Sequence, residues 1–252
     1  MPKQIAIAGK GGTGKTTLCA LITRYIAEEK PGKSILGVDA DANANFNEAL
    51  GLEVDTTISD ILEKTKDPRE VPTGMTKERF VEYNLHTALL ETDNYDLVVM
   101  GNPHGPGCYC YPSDLLRKHL ETLRENYDYV VVDNEAGLEH LSRKIVSDVD
   151  VLIITSDSTA RGIRTAGRVY EIVKSVKIKV GEIYLVVTKA QAEEDVENLK
   201  DEIEKTGLTL AAQIPLDPLV AEYDLKGKPL IELPEDSAAY KAVKQLGKKL
   251  NL

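Results

Sequence analysis

Basic charge is the first thing this chain lacks. It carries 31 Lys and Arg against 41 Asp and Glu, a net charge of -10 over 252 residues. A field of that sign does not draw the chain to nucleic acid or to an anionic membrane, although a local basic patch stays open. Long hydrophobic runs are also missing, and none reaches the length that spans a bilayer. Cysteine is scarce, at three residues. The N-terminus runs straight into an apolar stretch with no signal-peptide pattern, so a cytoplasmic location with reduced thiols is expected. There is no internal repeat and no low-complexity linker. With 42% hydrophobic and 29% charged residues, the length suits one α/β domain over residues 1–252.

What is present centres on residues 9–17, Gly9-Lys10-Gly11-Gly12-Thr13-Gly14-Lys15-Thr16-Thr17. The apolar run Ile5-Ala6-Ile7-Ala8 before it reads as a buried strand, and Leu18 to Ile22 after it opens a helix. Strand, glycine-rich turn and helix in that order make a phosphate-binding loop. The glycines let the backbone bend close to a polyphosphate. The helix start offers unpaired N–H groups and the positive end of its dipole. Lys15 supplies a point charge for the terminal phosphates, and the Thr16 hydroxyl suits Mg²⁺. The expected nucleotide contacts are Gly11, Gly12, Thr13, Gly14, Lys15, Thr16 and Thr17.

The second lysine, Lys10, gives the loop a rarer form, a deviant Walker A motif. The pattern resembles that of the ParA/MinD/nitrogenase-iron-protein group of dimeric nucleotide switches. The resemblance implies that Lys10 reaches across a two-fold axis to the partner's nucleotide and acts with Lys15 in catalysis.

Further strands end in acids. Ser34 to Val38 leads into Asp39-Ala40-Asp41, with Asn43, Asn45 and Asn47 after it. Carboxylates just past a strand end lie on the ligand edge of a doubly wound sheet. By resemblance this is the first switch: Asp41 orients or activates the attacking water, and Asp39 supports the Mg²⁺ and water network. Tyr129-Val130-Val131-Val132-Asp133 is a second buried strand ending in an acid, placed for Mg²⁺ together with Thr16 and Asp39. Asn134-Glu135-Ala136-Gly137 follows as the second switch, with Gly137 sensing the γ-phosphate; Glu135 departs from the Pro-Ala-Gly common in relatives.

Residues 52–92 read as a helical insertion. Ile58 to Leu62 looks helical, and Phe80, Tyr83, Leu85, Ala88 and Leu89 outline a second amphipathic helix. Beyond them lie a helix over 113–125, strands at 149–155 and 183–187, a helix over 160–175 with Ile163, Val169, Ile172 and Val173 inward, and an acidic helix over 193–205. The last helix covers about 236–249. Thr188 stands where relatives often carry an adenine-reading Asn, and Pro215 follows the last strand where the group contacts the base through backbone. An Asn-Lys-x-Asp guanine signature is absent, which favours ATP. The C-terminal helix has too little apolar surface for a stable membrane anchor.

One more stretch decides among group members. Gly105-Pro106-Gly107-Cys108-Tyr109-Cys110-Tyr111-Pro112 follows the strand at 95–100. Cysteines two apart face the same side of an extended chain. Two thiols are half of a closed metal site, and a two-fold axis doubles the count. Incidental cysteines and a redox pair are the alternatives. With the loop, Asp39-Ala40-Asp41 and the run through Ala136-Gly137-Leu138-Glu139-His140-Leu141, the chain resembles the CooC-type nickel-insertion ATPases, maturation factors of carbon monoxide dehydrogenase that include the AcsF relative. The resemblance implies an α/β, doubly wound, mostly parallel sheet flanked by helices (a P-loop NTPase). It implies ATP hydrolysis to ADP with Mg²⁺, a homodimer holding Ni²⁺ or Zn²⁺ through Cys108 and Cys110 of both subunits, and a client nickel enzyme, carbon monoxide dehydrogenase or acetyl-CoA synthase. Alternatives are a ParA/MinD-like partitioning or positioning switch, and a nitrogenase-like iron–sulfur electron carrier, for which the region around Asp133 to Gly137 lacks the second cysteine.

Overall fold

The computed structural model describes residues 2–67, 69–102, 117–118, 120–134, 148–175, 179–192 and 194–252. Among the described residues the strands are β1 (Lys3–Gly9), β2 (Ile35–Ala40), β3 (Leu89–Leu90), β4 (Asp96–Val99), β5 (Tyr129–Asn134), β6 (Asp148–Asp157), β7 (Lys179–Ala190) and β8 (Thr209–Pro215). They form one sheet in the order β3-β4-β2-β5-β1-β6-β7-β8. All neighbours are parallel except β3 against β4. The chain leaves β1 toward β2 and β4 on one side and toward β6, β7 and β8 on the other. The order therefore reverses beside β1, where open α/β sheets bind their ligands past the carboxyl ends of the strands.

Near-continuous apolar strands mean a sheet buried on both faces. Ile5 and Ile7 pack in one core with Leu18, Leu21, Ile22 and Ile26 of helix Lys15–Glu29 and with helix Ala238–Lys249. Ala6 and Ala8, alternating with them, join the other core beneath helices Ile58–Lys64 and Ala160–Ser175. This is the doubly wound sheet expected from the sequence.

The C-terminal helix spends its apolar side inside the molecule. Ala239, Tyr240, Val243, Leu246 and Leu250 are all buried. Lys3 Nζ donates to the carbonyls of Leu250 (3.0 Å) and Asn251 (2.7 Å), tying the first strand to the last turn. Gly247 lets the helix lie on Tyr25, whose ring stands 2.3 Å from where a Cβ would project. Among the described residues no helix is long and apolar enough to cross a membrane.

The 52–92 stretch differs from its expected shape. Helix Ile58–Lys64 opens with a Thr57/Asp60 capping box, and helix Lys77–Asn84 stops before Leu85. A 3₁₀ turn then feeds the antiparallel edge strand β3. Tyr83, expected on a core face, is 75% exposed. Pairing with β4 claims Leu89 and Leu90, a tertiary gain that a helical periodicity does not reveal. The acidic helix over 193–205 is likewise two pieces, Glu194–Glu197 and Lys200–Thr206. Ile172 is only half-buried, and Ala166 takes its place among the buried residues of helix Ala160–Ser175.

Candidate functional site

The phosphate loop leaves β1 at Gly9 and ends in helix Lys15–Glu29. Gly9 has to be glycine for space, because a Cβ there would sit 2.4 Å from Thr155 Oγ1. Gly14 is the helix N-cap at φ 73°, with no side chain capping it and no acid in the first turn. The first N–H groups and the positive dipole end therefore stay available to an anion. Lys15 is buried in the fold while Lys10 is exposed.

Asp39 and Asp133 sit opposite each other in the β2–β5 ladder. They are 0% and 1% exposed. Thr16 Oγ1 donates to Asp133 Oδ2 at 2.6 Å. Among the described residues Asp133 Oδ1 is buried with no partner. A buried carboxylate oxygen left bare, next to the loop threonine, is the chemistry of a divalent-cation site. Burial first, and then repulsion from Asp133, pushes Asp39 up to about 7. Burial pushes Asp133 up to about 6 against the pull of the Thr16 hydroxyl and Lys15. Both carboxyls are poised for a cation to restore their charge. Burial also raises the Cys19 thiol, which stays neutral beside them.

Asp39 has a second task that its position in Asp39-Ala40-Asp41 did not reveal. Its Oδ1 accepts from the Asp41 N–H at 3.0 Å and its Oδ2 from the Phe46 N–H at 2.9 Å. One carboxylate thus holds both ends of the loop that carries Asp41. Asp41 itself accepts from the Asn43 N–H and Nδ2, both at 2.9 Å through Oδ1. The loop crosses Ala44 at φ 50°, a left-handed conformation that costs a non-glycine residue roughly 1 kcal/mol.

Thr188, expected near the base, lines the apolar cavity beside the loop. Its hydroxyl donates to the Thr13 carbonyl at 2.9 Å, with the Ser156 carbonyl also in reach at 3.2 Å. It braces the phosphate loop from β7. Thr13 Oγ1 meets Thr155 Oγ1 at 2.8 Å and donates to the Lys10 carbonyl at 2.7 Å. Lys189 Nζ donates to the Gly12 carbonyl at 2.7 Å. The sequence reading missed Thr155 and Lys189 in this role. The only local signal was a threonine closing each of two neighbouring strands.

Beside the loop lies a cavity of about 210 Å³ with Leu18, Leu21, Ile214, Pro215, Leu216 and Val220 among its lining. Its apolar walls and its reach to Gly14 and Thr17 fit a flat base stacked next to the phosphates. Pro215, expected at the base, is part of that lining. Asp217, at the rim, accepts from the Leu219 and Ala239 N–H groups and the Ser237 hydroxyl, joining the starts of two helices. Cys108, Cys110 and Gly137 lie outside the described residues. Among the described residues no group of three or more His, Cys, Asp or Glu is placed to hold a metal ion.

A family model described as "AAA domain" matches residues 2–184. The chain belongs to the AAA domain family. An uncharacterized ATP-binding protein of Methanocaldococcus jannaschii is 42% identical over 251 residues, covering 98% of this chain and 97% of that protein. The carbon monoxide dehydrogenase accessory protein CooC of Rhodospirillum rubrum is 28% identical over 239 residues, 89% of this chain and 88% of that one. Among solved structures, the septum site-determining protein MinD from Pyrococcus horikoshii, complexed with Mg-ADP, matches with a TM-score of 0.74 at 23% identity. That match covers 100% of this chain and 96% of the MinD chain. This AAA domain thus has the fold of the MinD/ParA group of phosphate-loop ATPases.

Proposed function

We propose that this protein is an ATP-hydrolysing homodimer that carries nickel or zinc and assists nickel insertion into a client enzyme, carbon monoxide dehydrogenase or acetyl-CoA synthase. ATP sits on the phosphate loop with its base in the apolar cavity. Thr16 and Asp133 hold Mg²⁺, which neutralises charge on the terminal phosphates. Asp41 orients the attacking water from a loop held by Asp39, and Lys10 pairs with the partner's nucleotide. Gly137 and the residues around it complete the second switch.

One observation carries the metal half of this reading: where the Cys-x-Cys loop begins. β4 ends beside β2, and the Met100 N–H donates to the Asp39 carbonyl at 2.9 Å. Gly101 and Asn102 then lead toward Cys108 and Cys110 from the same sheet edge that carries Asp41. The 28% likeness to CooC over most of both chains supports the same reading. A MinD-like membrane switch is less well supported, because the apolar face of the C-terminal helix is already buried.

Titrating Ni²⁺ and Zn²⁺ into the metal-free protein, with ADP and with a non-hydrolysable ATP analogue, tests this. The expected result is one metal per dimer, lost in Cys108→Ser and Cys110→Ser, with an affinity that depends on the nucleotide. Light scattering on Lys10→Ala should show that ATP no longer tightens the dimer. One metal per monomer, or serine variants that bind as well as the native protein, would leave a nucleotide switch without metal cargo.

A further inference from the structure

The structure assigns Lys189 as a positioning residue for the phosphate loop, and not as a reader of the base. This rests on nucleotide binding alone and stands or falls independently of the metal reading. Three observations carry it.

First, the side chain of Lys189 is committed. Nζ donates to the Gly12 carbonyl at 2.7 Å, 177 residues away in the chain. It works in series with Thr188 on the Thr13 carbonyl. In a trans peptide the C=O and the following N–H point opposite ways. Holding the Thr13 carbonyl outward therefore turns the Gly14 N–H toward the interior of the loop, where a phosphate would lie. Holding the Gly12 carbonyl fixes the preceding peptide plane in the same sense. The Gly12 and Gly14 backbones sit at φ 78° and 73°, conformations that a glycine leaves easily. Two external tethers on consecutive carbonyls remove that freedom before the ligand arrives.

Second, the backbone of Lys189 is strained to allow it. Its φ is 57°, in the left-handed region that disfavours a long side chain. The β7–β8 register slips between Val187 and Ala190, so the strand bulges at this residue. A bulge re-aims a side chain, and here the side chain lands on the loop. Strain kept at a ligand edge, with the strained residue's own side chain in use, points to a role in the site.

Third, the charge lies between the loop and the base cavity. Lys189 and Asp224 both line that cavity. Burial raises the Asp224 carboxyl while the Lys189 ammonium draws it back down. The ammonium thus holds the loop carbonyl at the edge of the cavity, with no nucleotide present.

The test uses Lys189→Met, which removes the donor, and Lys189→Gly, which also removes the backbone strain. Affinities are measured in Mg²⁺ for ADP and, by displacement of a fluorescent nucleotide, for tripolyphosphate, which has no base. Both variants should bind ADP roughly tenfold more weakly, as for loss of one charge-assisted hydrogen bond. Tripolyphosphate should weaken by the same factor. Lys189→Gly should melt no lower than Lys189→Met, so that its lost affinity cannot be read as lost folding. Unchanged ADP affinity overturns the assignment. Weakened ADP with unchanged tripolyphosphate overturns it as well, in favour of base recognition.

Discussion

The two sides of the phosphate loop are held by different chemistry. On the β6–β7 side, Thr155, Thr188 and Lys189 grip the loop through hydroxyls and one ammonium aimed at the loop's own hydroxyl and carbonyls. None of these contacts depends on a carboxylate. On the β2–β5 side, the Asp41 loop hangs from Asp39, a buried carboxylate opposite a second one, Asp133. That grip changes with charge, because a cation or a proton at either acid alters what Asp39 can hold. One side is a fixed cradle, and the other is a loop whose tether feels the ligand. A nucleotide switch needs both: a cradle that binds without moving, and a neighbour whose position reports what is bound.

The largest effect comes from emptying the cradle. Lys15→Ala removes a buried ammonium from the phosphate path, and nucleotide affinity should fall roughly a hundredfold or more. Calorimetric titration with ADP and ATP checks it. An equal loss on an Asp39 substitution would erase the distinction between the two sides, since that residue touches the loop carrying Asp41 and not the cradle.

A smaller effect sharpens the comparison through pH. Asp39 and Asp133 are raised to about 7 and about 6 in the folded protein, from the ordinary carboxylate value of 3.8. Between those limits the folded state holds protons that the unfolded chain has released. The stability they contribute is full below about pH 4 and is lost progressively as pH rises from there to about 7. The melting temperature of the nucleotide-free protein should therefore fall across that window. Asp133→Asn should flatten the fall, and saturating Mg-ADP should abolish it. The β6–β7 grip has no such dependence, so Thr188→Val should shift the whole curve without changing its slope.

The sequence revealed these two sides unequally. The cradle was legible because glycines, a lysine and a threonine at fixed spacing have few other uses after a buried strand. The acids ending β2 and β5 were legible because strand ends in a parallel sheet share one edge. The braces were not: Thr13, Thr155 and Thr188 come together only when β1, β6 and β7 pair, and a lone threonine carries no distinguishing spacing. Lys189 was hidden for the same reason, its use depending on a bulge and a positive φ. Asp39 was read as part of the Mg²⁺ network, and its hold on the Asp41 and Phe46 amides needed coordinates. In the 52–92 stretch, apolar residues at helical spacing disguised an edge strand that exists only because β4 is there to pair with it.

The division between cradle and switch is tested most directly by single-turnover hydrolysis and ATP affinity, measured side by side for Asp41→Ala and Thr188→Val. Asp41→Ala should bind ATP within about twofold of the native protein and hydrolyse it about a hundredfold more slowly. Thr188→Val should do the reverse, binding about fivefold more weakly for one lost hydrogen bond and turning over bound ATP at the native rate. Native turnover in Asp41→Ala, or the same change in both quantities for both variants, would contradict it.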